Sequence, residues 1–100
     1  MEQGYLNLEW MLDHELKVAR RFQNFVSLVM VSAAHQSADL RALLEHTTRS
    51  SDVYFDLGEC GVILMSETDS RGALQAVARY QNACEGQVDL RFGLGSFPDD

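Results

Sequence analysis

Two arginines and an aspartate are residues of this sequence whose types could contribute to a binding site. Arg49 and Asp52 are separated by two serines, and Arg79 lies on a later segment. An arginine guanidinium donates hydrogen bonds in a planar fork and stacks on ring systems, while a carboxylate accepts hydrogen bonds from N–H groups. Each of these side-chain types could contribute to a binding site for a polar ligand.

The same three residues also have structural explanations. Arg49 is expected to end a helix, where a cation complements the helix dipole. Asp52 is expected to open a strand, where a carboxylate can bond to the backbone of a turn. Arg79 fits a solvent-exposed helix position. Because an arginine and an aspartate at this spacing are a common combination, the pattern alone leaves both interpretations open.

The other polar candidates give weaker signals. His14, His35 and His46 are spread over a predicted helix, a loop and a helix end, without a partner carboxylate or metal-ligand spacing. Cys60 has no neighbouring base or cation that would activate its thiol. The sequence therefore predicts no catalytic residue, no metal ligand and no cofactor.

The composition fits one small domain, residues 1–100, that stays in solution. The chain has 100 residues, of which 46% are hydrophobic, and a net charge of −7. This charge argues against nucleic acid as a partner, because phosphate backbones require a basic surface. The longest apolar run, from Phe25 to Ala34, is too short to span a bilayer, so we expect no direct membrane insertion. Two cysteines without metal-type spacing and no signal peptide favour a cytoplasmic location.

Hydrophobic periodicity predicts a leading amphipathic helix. Apolar residues recur every three or four positions from Asn7, a candidate cap, to Phe22. The apolar positions of this helix are Leu8, Leu12, Leu16, Ala19 and Phe22. Trp10 and Met11 on the same helix are explained by packing, or by a partner surface if they are exposed.

The remaining elements form a core over residues 25–97. Residues 25–31 form an apolar run typical of a central strand, and a short helix should begin at Ser37 or Asp39 and end between residues 46 and 49. Residues 53–55 and 62–65 read as the strands of a β-hairpin. A helix over residues 69–84, with Leu74 widening its apolar stripe, and a half-buried alternating strand over residues 88–94 follow. The order predicts an α+β fold: a leading helix and a βαββαβ, ferredoxin-like antiparallel sheet with helices packed on it.

This element order resembles the GGDEF (diguanylate cyclase-like) family. The family's signature, R-x-G-G-D-E-F, lies in the hairpin, where this chain has residues 56–62. The end of its last strand resembles residues 92–98. The likeness implies a nucleotide cyclase-like sheet and a role in bacterial cyclic di-GMP signalling.

Departures from the family pattern imply loss of the cyclase reaction, which requires metal-binding carboxylates. Ser32 and Ala34 stand where the family carries aspartates on and after the first strand, and Cys60 and Gly61 replace the acidic pair of the signature. Glu59 occupies a glycine position. The loop and helix that hold the substrate in active members are also largely missing. The resemblance therefore implies a degenerate domain that is not an enzyme.

The resemblance also gives a ligand for Arg49, Asp52 and Arg79. They match the family's R-x-x-D inhibitory site for cyclic di-GMP and its helical arginine, and Asp52 keeps the family's separation from the signature loop. Two hypotheses follow. The domain is a cyclic di-GMP receptor that passes its ligand-bound state to a protein partner, or it is a ligand-free interaction or dimerisation module with the same fold.

Overall fold

The computed structural model describes residues 2–33, 52–57, 60–83 and 90–98. Within these ranges the chain forms two helices and four strands: α1 (Glu2–Phe22), β1 (Val26–Ala33), β2 (Asp52–Asp56), β3 (Gly61–Ser66), α2 (Ser70–Ala83) and β4 (Leu90–Phe97). The short helix predicted from Ser37 or Asp39 to residues 46–49 lies outside the described residues.

The described strands form one antiparallel sheet in the order β2-β3-β1-β4. Val31 pairs with Gly61 on β3, and Val26 pairs with Phe97 on β4. The apolar run predicted as a central strand is therefore internal to the sheet. This strand order is the one expected of a ferredoxin-like βαββαβ unit, and it confirms the predicted α+β fold class.

Helix α2 covers one face of the sheet, which we call the α2 face. Tyr80 is fully buried there, and its ring stacks on Phe92 with the centroids 6.4 Å apart. The buried cluster on this face consists of Val29, Val31, Ile63, Met65, Ala73, Ala76 and Tyr80. The sheet residues of this cluster are alternate residues of β1 and β3, because successive side chains of a strand point to opposite faces.

Helix α1 covers the opposite face, which we call the α1 face. Leu8 and Ala19 of the helix lie in a second buried cluster with Val26, Phe55, Val62 and Leu64 of the sheet. Since β1 and β3 contribute to both clusters, they are apolar on both sides. The nearly continuous apolar sequence of β1 follows from this double coverage.

The two helices have well-defined ends. Gln23 adopts a left-handed backbone with φ of 58°, and the N–H of Asn24 donates to the carbonyl of Ala19 at 2.9 Å. These features form a Schellman motif that ends α1. Asp69 is the N-cap of α2, because its Oδ1 accepts a 2.9 Å hydrogen bond from the N–H of Gly72.

Several sequence predictions need correction. Helix α1 begins at Glu2, so Asn7 lies inside it and is not its cap. Phe22 and Leu74, assigned to apolar stripes, are 62% and 59% exposed. Strand β4 runs to Phe97 because its ladder with β1 extends to the start of that strand, and Leu94 is 39% exposed. Across the described ranges, neither helix has the length and apolar character needed to cross a membrane.

Candidate functional site

The β2–β3 hairpin contains the positions that match the family signature. The N–H of Leu57 donates to the carbonyl of Cys60 at 2.9 Å, next to the pairing of Asp56 with Gly61. These bonds close the hairpin that the sequence predicted. Gly58 and Glu59 between them lie outside the described residues.

The space above Gly61 is filled by Tyr54. Both residues lie on the α2 face, and a Cβ atom built on Gly61 would be 2.3 Å from Oη and 2.6 Å from Cζ of Tyr54. Real Cβ atoms do not approach other atoms so closely, so Gly61 cannot carry a side chain while Tyr54 keeps its position. Sequence reasoning missed this role of Tyr54, because only the strand register places the two residues together.

Ser32 lies at the same end of the sheet as this hairpin. Val31 pairs with Gly61, and Ser32 follows it and pairs with Arg91 on β4. The fold thus brings the positions matched to the family's metal ligands to one end of the sheet, where they carry a hydroxyl, a half-exposed thiol at Cys60 and no side chain at Gly61. Ser32 follows Val31 and therefore points to the α1 face, whereas Gly61 lies on the α2 face. Ala34 lies outside the described residues.

One carboxylate on the hairpin does face this end of the sheet. Asp56 pairs with Gly61, so the two residues share the α2 face. Asp56 occupies the position of the signature's arginine and not that of its acidic pair. The hairpin therefore offers a different charge pattern from that of the signature loop.

The structure places Asp52 and Arg79 on the same side of the sheet. Asp52 pairs with Met65, whose side chain belongs to the α2-face cluster, and cross-strand partners point to the same face. Arg79 is a half-buried residue of α2, with its guanidinium 5.8 Å from the centroid of the Tyr80 ring. Arg49 lies outside the described residues.

Asp52 and Arg79 are nevertheless not neighbours in the sheet order. Strand β2, which carries Asp52, forms one edge of the described sheet, whereas α2 packs over β1 and β4 at the other side. Asp52 also lies near the start of β1, because its partner Met65 pairs with Ser27. Tyr80, the neighbour of Arg79, stacks on Phe92, which pairs with Val31 near the end of β1. The two residues are therefore separated along the strands as well as across them.

Two clefts lie at the C-terminal end of α1, away from these residues. One has a volume of about 190 Å³ and lies between Glu15, Asn24 and Glu67, and the other, of about 260 Å³, lies between Arg20, Asn24 and Phe97. Both are smaller than the ~300–1,000 Å³ of typical small-molecule sites. Neither cleft is lined by Asp52, by Arg79 or by residues 56–61 of the hairpin.

Comparison with solved structures identifies proteins of the same fold. A crystal structure of a DGC protein from Thermotoga maritima superposes with a TM-score of 0.80 at 13% identity, covering 94% of this chain and 80% of that one. The PelD structure (158-CT) from Pseudomonas aeruginosa PAO1 superposes with a TM-score of 0.64 at 21% identity, covering 89% of this chain and 38% of that one.

These structural likenesses confirm the GGDEF-like fold that the sequence predicted. At such low identities they establish the fold alone, since one fold hosts many functions. A scan against protein-family models and a search of curated proteins returned no match.

Proposed function

We propose that this chain is a catalytically inactive GGDEF-like domain that acts in cytoplasmic bacterial signalling by binding cyclic di-GMP. The ligand would be held by Arg49, Asp52 and Arg79. The observation that carries the proposal is the retained fold with Tyr54 packed over Gly61, where the family's signature has an acidic residue. The fold is kept, whereas the position that serves metal chemistry is filled.

Loss of cyclase activity follows from the chemistry of that reaction. Joining two nucleoside triphosphates requires divalent metal, which neutralises phosphate charge and is held mainly by carboxylate oxygens. Ser32, Cys60 and Gly61 stand at the matching positions. A hydroxyl, a thiol and a hydrogen atom are poor substitutes for hard anionic ligands.

Binding of cyclic di-GMP follows from a different set of groups. An arginine fork can donate to O6 and N7 of guanine, and a carboxylate can accept from the N1–H and amino groups of the same base. Arginine also stacks on purines and offsets phosphate charge. Asp52 and α2 lie on one face of the sheet. Binding of one ligand by both Asp52 and Arg79 is a prediction, as is the position of Arg49.

Isothermal titration of the purified domain with cyclic di-GMP tests the proposal. We expect binding in the micromolar range or tighter. Arg49→Ala and Arg79→Ala should each weaken it at least about tenfold, because a hydrogen bond to a charged group contributes roughly 1.5–3 kcal/mol. Arg71→Ala is the matched control, since Arg71 is an exposed arginine of the same helix α2. It should leave the affinity unchanged within about twofold.

Two outcomes would contradict the proposal. One is the absence of both heat and a thermal shift at high ligand concentration. The other is formation of cyclic di-GMP from GTP and magnesium above a no-protein control. An equal loss of affinity in Arg49→Ala and Arg71→Ala would instead indicate general electrostatic attraction without a specific site.

The alternative function, a ligand-free interaction or dimerisation module, is favoured by one separate observation. Trp10, for which the sequence left packing and a partner surface open, is 69% exposed, while Met11 packs against the α1-face cluster. If titration shows no ligand, the outward side of α1 becomes the main candidate for function.

A further inference from the structure

The side of α1 that points away from the sheet carries a continuous row of exposed residues. They recur at intervals of three or four and therefore lie on one side of the helix. We call this row the outward stripe; it consists of Leu6, Trp10, Asp13, His14, Lys17 and Arg21. Leu8, Leu12 and Ala19 on the opposite side contact the sheet cluster.

Trp10 is the most exposed large apolar side chain among the described residues. It is 69% exposed, and Leu6 one turn earlier is 57% exposed. The indole stacks on the His14 ring with the centroids 5.9 Å apart and the planes within 4°. This contact restricts the indole before any partner binds, which reduces the entropy lost on association. Tryptophan is also the residue type most enriched at binding hot spots.

The charges on this side of α1 are divided along its length. Within the outward stripe, the acidic Asp13 precedes the basic Lys17 and Arg21. If two copies pair with their helices antiparallel, the acidic part of each faces the basic part of the other. A parallel pair would instead set like charges against each other.

We infer that the outward stripe binds the same stripe of a second copy, in an antiparallel pair related by a two-fold axis at the level of residue 15. Asp13 then faces Lys17 of the second copy. Trp10 lies against the basic end of the other helix, where arginine can contact its ring face. Each contact occurs twice, as in any interface between two identical surfaces.

The outward stripe is less acidic than the chain as a whole, so charge repulsion opposes its self-association less. The chain carries −7, whereas the three charged residues of the stripe, one acidic and two basic, sum to +1. A single pair of helices buries less surface than the roughly 1,200 Å² of stable interfaces. We therefore expect the dimer to be weak and reversible. The inference uses neither cyclic di-GMP nor its site, so its outcome is independent of the proposed function.

Sedimentation velocity at several protein concentrations tests the inference. The wild-type domain should associate in about 50 mM salt and less in 500 mM, because salt screens exposed charges. Asp13→Lys and Lys17→Glu should each weaken association at least about tenfold, since each replaces two attractive pairs with two repulsive ones. Arg71→Glu changes the charge by the same amount as Lys17→Glu on the other helix, and it should have little effect.

Mixing the two charge variants separates pairing between copies from effects within one helix. Asp13 and Lys17 also form an ion pair within α1 at 3.0 Å, and both variants lose it. An equimolar mixture of Asp13→Lys and Lys17→Glu nevertheless restores opposite charges across the interface. Its association should return to within about twofold of wild type, whereas a mixture of Asp13→Lys with Arg71→Glu should not recover.

The apolar part of the stripe has its own test. Trp10→Ala should weaken association at least about tenfold, as loss of a central aromatic anchor does. Leu74→Ala, which removes an exposed apolar side chain from α2, should not weaken it. Far-ultraviolet circular dichroism confirms that each variant remains folded.

Three results would overturn the inference. A wild-type domain that stays folded and monomeric at low salt and millimolar concentration would do so. A mixture that fails to recover would show that no intermolecular charge pairing exists. A mixture that associates far more strongly than wild type would indicate parallel helices, because only there does the wild type have like charges opposed.

Discussion

Replacing Gly61 with alanine is expected to destabilise the domain by about 1–3 kcal/mol, the usual cost of forcing an extra group into a packed site. The new Cβ would lie 2.3 Å from the hydroxyl oxygen of Tyr54, so the Tyr54 ring must move away from the α2-face cluster. Urea unfolding followed by circular dichroism measures the change in free energy of unfolding.

Gly95 provides the matched control for this substitution. It also lies in a strand of the same sheet, but a Cβ built there meets nothing within 4 Å. Gly95→Ala should therefore be neutral or stabilising by about 0.4–1 kcal/mol, because alanine restricts the unfolded chain. If both alanine variants behave alike, Tyr54 does not pack over Gly61 as described.

The contact between position 61 and Tyr54 also predicts that placing an acidic residue at position 61 alone will destabilise the domain. In Gly61→Asp the carboxylate would meet the Tyr54 ring and would also be taken out of water, and both effects add to the cost. A second substitution, Tyr54→Val, should recover part of the lost stability by removing the ring. The double variant would then be more stable than the sum of the two single substitutions predicts, which would identify Tyr54 as the residue that fills the space above position 61.

Replacing Leu64 with alanine is expected to have the other large effect, a loss of about 2–5 kcal/mol in the free energy of unfolding. Leu64 is fully buried in the cluster between α1 and the sheet. Truncating it removes apolar contacts and leaves a cavity. Thermal and urea unfolding of the variant measure the loss.

Leu74→Ala serves as the control for Leu64→Ala because it makes the same chemical change at a position that is 59% exposed. It should change stability by no more than about 0.5 kcal/mol. A cost below 1 kcal/mol for Leu64→Ala would contradict the position of α1 over this face. The leading helix would then be an appendage and not part of the core.

Local patterns predicted those parts of the fold that depend on local physics. Val29 and Val31 lie in an apolar run too dense for a half-exposed strand, which predicted a strand covered on both faces. The α2 face of β1 is buried at these residues, but its α1 face is covered only in part, since Met30 is 51% exposed. The hairpin followed from turn-prone residues between two apolar runs. Each of these signals is contained in a few neighbouring residues.

Other features depend on contacts that periodicity does not encode. Phe22 has helical spacing but lies at the very end of α1, where it remains 62% exposed. Leu74 is on the flank of α2 that points away from the sheet. Strand β4 extends beyond the predicted end because pairing with β1 stabilises Gly95 and Ser96 in a segment that reads as a turn. Tertiary pairing overrides weak local preference in such cases.

The candidate site also has features that the sequence predicts and features that depend on tertiary contacts. The resemblance to a known pattern predicted Asp52 and Arg79 as site residues, and their binding of a ligand stays a prediction. The strand register places Asp52 on the face that α2 covers. The sequence could not reveal that Tyr54 covers Gly61, because this contact arises only when β2 and β3 pair in one particular register. Residue types therefore predicted a loss of cyclase chemistry, and the packing of Tyr54 over Gly61 is a steric feature that supports this proposal.

The most direct test of the central claim is a two-dimensional NMR titration of the ¹⁵N-labelled domain with cyclic di-GMP. The account predicts that the backbone amide of Asp52 and the Nε–H of Arg79 shift together, with one common dissociation constant, while Arg71 Nε–H does not move. Unchanged resonances of Asp52 and Arg79 at saturating ligand would contradict it. Shifts confined to α1 would contradict it as well, since they would place the ligand on the opposite face of the sheet.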